Sequence, residues 1–327
     1  MGGGRDFSKL AIYSNGTKSL LREVIPFPGF KGEFYVSSGD ITGDGIEDIA
    51  VGSGQGSQNG HVVVFDGAVL LNPNQSKAVE LPYKQGGSVR ASLYAFVGYS
   101  SGVAVRLADM NDDGFDDMVL APGTGAGTCT PAHLRVWNGK DCMADFEAGK
   151  PLPYDYRWEM ASFWAFGEGS NPGGGMALSV VRQAGPDLII ASQLFRGGSK
   201  VFRYDGQKVM TTIMDLTGWQ DMGLTGNTLV GFDRETNRYF ANGGTDRSSP
   251  DSVFVRDKEG KKAYTIDKIF GGTAGELRLG LANMDADAED ELLVIRGKDS
   301  ATKVYDLFAD RAVLIDTLMP GGNSGWV

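Results

Sequence analysis

Two recurring patterns in this sequence predict an all-β repeat fold: a β-propeller of about five or six four-stranded antiparallel blades, with acidic loops between the first and second strands of some blades. One pattern is a nine-residue acidic loop followed at once by an apolar strand. The other is an apolar strand that ends at an aromatic residue and a Gly turn. A third observation agrees with both. The 327 residues include 48 Gly, and short apolar runs alternate with turn signals, which favours hairpins over helices. The units recur at roughly 50 to 70 residues, the size of a propeller blade.

The clearest loop runs Asp109-Met110-Asn111-Asp112-Asp113-Gly114-Phe115-Asp116-Asp117. Oxygen side chains stand at positions 1, 3, 5 and 9, and Gly114 stands at position 6. This is the pattern of a short calcium loop, in which alternate residues turn oxygens inward and the glycine lets the chain bend back. Its ligands are Asp109, Asn111, Asp113, the Phe115 carbonyl and Asp117, and the strand Met118–Ala121 follows. An earlier copy offers Asp40, Thr42, Asp44, the Ile46 carbonyl and Asp48, followed by Ile49–Gly52, with Thr42 the weaker donor. A last copy offers Asn283, Asp285, Asp287, the Glu289 carbonyl and Glu291, with Ala288 where the bend favours glycine. Magnesium fits less well than Ca2+, because it demands stricter octahedral geometry. The metal's expected role is structural, pinning hairpins. Two further units, at Val180–Asp187 and Asp233–Asn237, have lost most ligands yet keep the strands Leu188–Ala191 and Tyr239–Ala241. The strand pattern therefore carries the fold.

The second pattern fixes the rest of each unit. Its copies are Ala11–Gly16, Val63–Gly67, Arg135–Gly139, Phe202–Gly206, Phe254–Gly260 and, more loosely, Lys303–Asp306. Asn-Gly and Asp-Gly between apolar runs predict hairpins, with the next strand close behind, as at Ala78–Leu81 and Ala263–Ile266. Each unit reads as strand A, acidic loop, strand B, loop, strand C, turn, strand D. The expected blades are 31–82, 100–150, 151–216, 226–268 and 275–318, after an N-terminal half-blade at 8–30, all in one domain, 1–327.

The phrases Gly39-Asp40-Ile41-Thr42-Gly43-Asp44-Gly45 and Ala108-Asp109-Met110-Asn111-Asp112-Asp113-Gly114 resemble FG-GAP repeats. These build the β-propeller of integrin α-chains and of many bacterial surface proteins. The resemblance covers nearly the whole chain and is strongest in two units. It implies a calcium ion in each intact loop, distant from the binding face. It also implies a secreted or cell-surface setting, and adhesion or binding to a protein or glycan partner.

The ends leave the ring open to three readings. Leu10–Phe27 looks like strands C and D alone, and Pro320–Val327 parallels Pro28–Val36, which leads into a strand A. The native chain continues further, or another chain completes the blade by pairing with its unpaired end strands, or five blades close with the hairpin packed outside.

Charge and composition narrow the function. The net charge of −10 disfavours nucleic acid and anionic membranes. No apolar stretch approaches the roughly 20 residues of a membrane span, so no membrane insertion is expected. Cys129 and Cys142 flank a strand, His133–Trp137, and their pairing stays open. The two histidines, His61 and His133, lie in no nucleophile or zinc motif, and the Gly-rich runs lack a P-loop ending. A polysaccharide-acting enzyme or a filament subunit remains the alternative to a binding module. Phe163 and Phe166 recur at places matched by Phe96 and Phe27, which predicts core between blades. Trp158 and Trp164 are the ligand-binding candidates.

Overall fold

The computed structural model describes residues 9–14, 19–72, 88–123, 132–147, 157–167, 175–193, 198–206, 210–215, 229–233, 238–242, 251–257, 261–272, 277–282, 284, 290–296 and 301–318. A two-stranded hairpin, β1 (Leu10–Tyr13) and β2 (Leu20–Val24), opens the chain. Five four-stranded antiparallel sheets follow, the blades of a β-propeller. The first holds β3 (Phe34–Gly39), β4 (Asp48–Ser53), β5 (His61–Phe65) and β6 (Val89–Tyr94). The second holds β7 (Val103–Ala108), β8 (Asp117–Pro122), β9 (His133–Trp137) and β10 (Glu159–Trp164). The third holds β11 (Met176–Val181), β12 (Leu188–Gln193), β13 (Ser199–Arg203) and β14 (Thr211–Asp215). The fourth holds β15 (Leu229–Asp233), β16 (Arg238–Asn242), β17 (Ser252–Asp257) and β18 (Lys262–Asp267). The fifth holds β19 (Leu277–Ala282), β20 (Glu291–Arg296), β21 (Thr302–Leu307) and β22 (Ala312–Leu318). The strands of every blade pair in sequence order, as expected.

The chain divides into two compact units, Met1–Gly175 with Tyr204–Met210, and Met176–Arg203 with Thr211–Val327. In the first unit, successive residues of the middle strands serve two cores. Ala50, Val62 and Val64 pack toward Val103, Val105 and Leu107 of the second blade. Their neighbours Val51, Val63 and Phe65 pack with Val24, Phe27 and the partly buried Leu10 and Ile12 of the hairpin. A strand covered on both faces reads as an unbroken apolar run, which is why strands B and C stand out in the sequence. The hairpin is therefore seated where a preceding blade's outer strands belong. Arg22 fixes it there, its Nε donating to the Leu70 carbonyl at 2.8 Å and its Nη2 to that of Asn72 at 3.1 Å. In the second unit, Val181, Ile190 and Val201 meet Tyr239 and Ala241, and Phe240, Val253 and Val255 meet Leu277, Leu292 and Val294.

The turn between strands C and D differs from expectation in the first two blades. Asp66-Gly67 and Asn138-Gly139 do not close tight hairpins. They open helices, α1 (Gly67–Leu70) and α2 (Gly139–Glu147). Asp66 and Asn138 act as N-caps, accepting from the amides of Val69 at 2.7 Å and Asp141 at 2.8 Å. The fourth strands consequently arrive late, at Val89–Tyr94 and Glu159–Trp164. The expected blade ends at 82 and 150 fall short of them, and the expected strand Ala78–Leu81 lies outside the described residues. Short hairpins do join strands C and D in the last two blades, where the Asp257 amide donates to the Lys261 carbonyl and the Phe308 amide to that of Arg311. Cys142, on α2, is a buried free thiol, and Cys129 lies outside the described residues.

Candidate metal centre

Both intact acidic loops sit where strand A turns into strand B, and each is organised by its first and last carboxylates. In the first loop, Asp40 accepts from the amides of Gly43 at 2.7 Å, Asp44 at 3.1 Å and Gly45 at 2.8 Å. In the second, Asp109 accepts from Asp113 at 3.1 Å and Gly114 at 2.9 Å. Gly45 and Gly114 turn at φ +83° and +82°, the conformation that favours glycine at the bend. The last carboxylates reach further. Asp48 accepts from the Thr42 amide at 2.9 Å and the Gly67 amide at 2.9 Å. Asp117 accepts from Met110 at 3.1 Å and Gly139 at 3.0 Å. Each thus ties its A–B loop to the helix that follows strand C. Here the glycines matter through close approach: a Cβ on Gly67 meets the Glu47 carbonyl at 1.9 Å, and one on Gly139 meets that of Asp116 at 2.0 Å.

The two loops also touch one another. The Asp116 amide donates to the Asp40 carbonyl at 2.8 Å. The Phe115 ring packs so closely on Gly43 that a Cβ there meets it at 2.3 Å, and the Lys140 ammonium lies 4.5 Å from the centre of that ring.

The donor set fits a hard divalent cation. Asn111 Oδ1 is buried without a hydrogen-bond partner, while its amide nitrogen donates to Asp113 at 3.2 Å. An orphaned buried acceptor of this kind is costly. Thr42 Oγ1, at the same loop position, is buried beside the Asp48 carboxyl with no hydrogen bond of ordinary geometry. Burial pushes the Asp117 carboxyl up to about 7, and the charges of Asp113 and Asp109 push the same way against its amide bonds. Burial likewise raises Asp48. A cation among these oxygens gives the orphan a partner and the acids a counter-charge. Among the described residues, no three acidic, imidazole or thiol groups alone form a metal-binding cluster. A cation here would need the amide, hydroxyl and carbonyl oxygens as well.

The weaker copies are instructive. Of the last loop, Asn283, Asp285, Asp287 and Glu289 lie outside the described residues. Its final acid, Glu291, is buried and accepts from the Met284 amide, as Asp117 does from Met110. In the third blade the corresponding acid, Asp187, is buried and accepts from the Gln183 amide at 3.1 Å. Its other oxygen takes the guanidinium of Arg182 at 3.1 Å. A fixed cation, Arg182, stands beside the corresponding acid in the blade whose loop pattern has decayed.

The aromatic candidates separate. Trp158 is core, not surface: it is 5% exposed, its Nε1 donates to Asp145 Oδ2 at 2.7 Å, and it packs against Trp137 and Phe146. In the sequence it stands out because its place is less repeated between units than those of the phenylalanines; in the fold, Asp145 of α2 gives its N–H a buried acceptor. Trp164 is 38% exposed and stands on the His133 ring, with centroids 4.8 Å apart. Tyr94 does the same on His61 at 4.9 Å in the first blade. His61 also shares a hydrogen bond with Ser92, and His133 with Ser162, both at 2.8 Å. Phe27 and Phe96 close the other sides. The same constellation in two blades marks the His–Ser pair as a feature of the repeat. Its signal in the sequence is a His four residues before an aromatic, in His61–Phe65 and His133–Trp137.

Burial lowers both imidazoles from 6.5 to about 4, with Arg135 adding to the effect at His133. The folded state holds them neutral. Their contribution to stability is full above pH 6.5 and is lost as pH falls from there toward 4, by up to about 1 kcal/mol per pH unit for each ring. In saturating calcium, the unfolding midpoint is expected to drop between pH 7 and pH 5, and to drop less in the double variant His61→Gln/His133→Gln. Equal drops mean that the rings titrate normally.

The fold and loops together define a β-propeller with acidic A–B loops. Residues 36–69, from within β3 through the first acidic loop to α1, match the model of the FG-GAP repeat. No curated protein matches the chain in sequence. Among solved structures, the WD40 domain of Toxoplasma gondii coronin aligns at 10% identity with a TM-score of 0.52, over 95% of this chain and 65% of that one. A Bacillus licheniformis rhamnogalacturonan lyase aligns at 12% identity with a TM-score of 0.48, over 92% of this chain and 53% of that one. The chain spans about half of the lyase and under two thirds of the coronin domain's chain. At such identities the coronin likeness shows the fold alone. No helix among the described residues is long and apolar enough to cross a membrane.

Proposed function

We propose that the chain is a calcium-stapled binding module that works outside the cell and recognises a protein or glycan through its blade-connecting loops. The single observation that carries the calcium reading is the buried, partnerless Asn111 Oδ1 in a loop that also holds Asp109, Asp113 and Asp117. The first loop would hold its ion with Asp40, Thr42, Asp44, the Ile46 carbonyl and Asp48. A bound ion supplies charge neutralisation and cross-linking rather than chemistry, since mixed carboxylate, amide and carbonyl oxygens suit Ca2+. The FG-GAP match over 36–69 supports an extracellular setting. A rigid scaffold that presents recognition on loops supports the binding role.

Thermal unfolding with calcium, with magnesium and with a chelator tests this. Calcium at about 100 times Kd is expected to add about 2.7 kcal/mol per site, raising the midpoint by several degrees, with magnesium weaker. Without metal, the raised carboxyls favour the protonated state. Their contribution is present at low pH and is lost as pH rises through about 4 to 7. The gain from calcium is therefore expected to grow over that range, because the metal needs the ionised acids. A midpoint indifferent to calcium at pH 7.5 removes the staple from the account.

A further inference from the structure

Where the fourth blade leads into the fifth, three cations and the Phe270 ring line one cavity. Lys268 follows β18, Arg296 ends β20 and Lys303 lies near the start of β21. The Arg296 guanidinium carbon stands 4.7 Å from the centre of the Phe270 ring, and the Lys303 ammonium stands 5.9 Å from it. With Lys268 and Thr317 they line an open cavity of about 530 Å³, within the range of small-molecule sites. Three positive charges in one cleft are notable on a chain of net charge −10. Among the described residues, neither Lys268 nor Lys303 has a carboxylate partner in an ion pair. Of the described acids nearby, Asp251 accepts through Oδ2 from the amides of Phe270 and Gly272, both at 2.7 Å, and Asp267 accepts from the Ser252 hydroxyl at 2.8 Å.

The backbone adds a second observation. Lys268 sits at φ +53°, and the other described non-glycine residues at positive φ are Asn59 and Asp112. Asparagine and aspartate tolerate that region, whereas a lysine there is strained. Strain of this kind gathers at functional sites.

We infer that this cleft binds an acidic sugar, a ring carrying a carboxylate or a sulfate. The inference deepens the binding-module reading and rests on it, but not on the calcium staples. Arg296 and the lysines supply charge-assisted donors to the anionic group, Thr317 lines the same space, and the Phe270 ring gives an apolar wall for the C–H face of a sugar. A nucleotide fits less well. Among the described residues, no glycine-rich turn here opens a helix onto phosphates.

The test is calorimetric titration of the full chain in calcium buffer with three probes: a galacturonate trisaccharide, a sulfated galactose trisaccharide and a neutral galactose trisaccharide. At least one charged probe is expected to bind with a Kd of about 1 mM or tighter, and at least about tenfold more tightly than the neutral one. Which charged probe wins decides between carboxylate and sulfate, and high salt weakens it. Lys303→Gln and Lys268→Gly are each expected to weaken binding about tenfold. Lys268→Gly also relieves the positive φ, so it melts no lower than the parent and a loss of binding is not misfolding. Lys262→Gln, at the far end of β18, leaves the affinity unchanged. Equal binding of charged and neutral sugars, no binding of any, or full affinity in both Lys268→Gly and Lys303→Gln overturns the site. The binding-module reading is judged separately, by the calcium melts and by protein partners.

Discussion

Asp117→Ala is expected to cost about 3–5 kcal/mol and to abolish calcium binding at the second loop. The side chain is fully buried, and its two oxygens take the amides of Met110 and Gly139. Truncation leaves two interior donors without acceptors, each worth about 1–3 kcal/mol, and it removes a proposed metal ligand. It also cuts the tie between the A–B loop and α2, whose Cys142 and Met143 belong to the core between the first two blades. Asp117→Asn retains one acceptor and is expected to fall between Ala and the parent. Denaturant unfolding with and without calcium separates the terms. The hydrogen-bond loss persists in chelator, whereas the metal-linked loss does not. A stability within about 0.5 kcal/mol of the parent, the range of ordinary surface changes, sinks this picture.

Gly139→Ala is expected to be as damaging by a different route. Its Cβ meets the Asp116 carbonyl at 2.0 Å and Ile41 Cγ1 at 2.7 Å. Backbone and a fully buried side chain leave little room to yield, so the cost reaches about 3 kcal/mol or more, at the upper end of overpacking. Gly114→Ala makes the contrast. Nothing lies within 4 Å of a Cβ there, and only its φ of +82° opposes the change, at about 1 kcal/mol. Melting curves in chelator are expected to rank the parent above Gly114→Ala, and Gly114→Ala above Gly139→Ala. The reverse order of the two variants contradicts the close-approach reading of Gly139.

These two cases show what the sequence displays and what it hides. The acidic loops were legible because their spacing encodes local geometry, and the apolar runs after them because strands covered on both faces lose alternation. The role of Gly139 was not legible. Asn-Gly looks the same whether the glycine permits a hairpin turn or a close backbone approach, and only the neighbouring strand shows which. Strand β6 escaped notice because an outer strand is half exposed and its run, Val89-Arg90-Ala91-Ser92-Leu93-Tyr94, mixes polar and apolar residues. Trp158 was misread for want of its buried partner, Asp145, 13 positions away. Lys268, Arg296 and Lys303 carry no shared motif, because the fold alone brings them to one cavity.

Calorimetric titration of calcium into the metal-free protein at pH 7.5, beside Asp113→Ala, tests the central claim most directly. The account predicts binding at the first and second loops in the parent, and loss of one site in Asp113→Ala with the other retained. Calcium uptake that Asp113→Ala leaves undiminished, or no uptake by the parent, contradicts it.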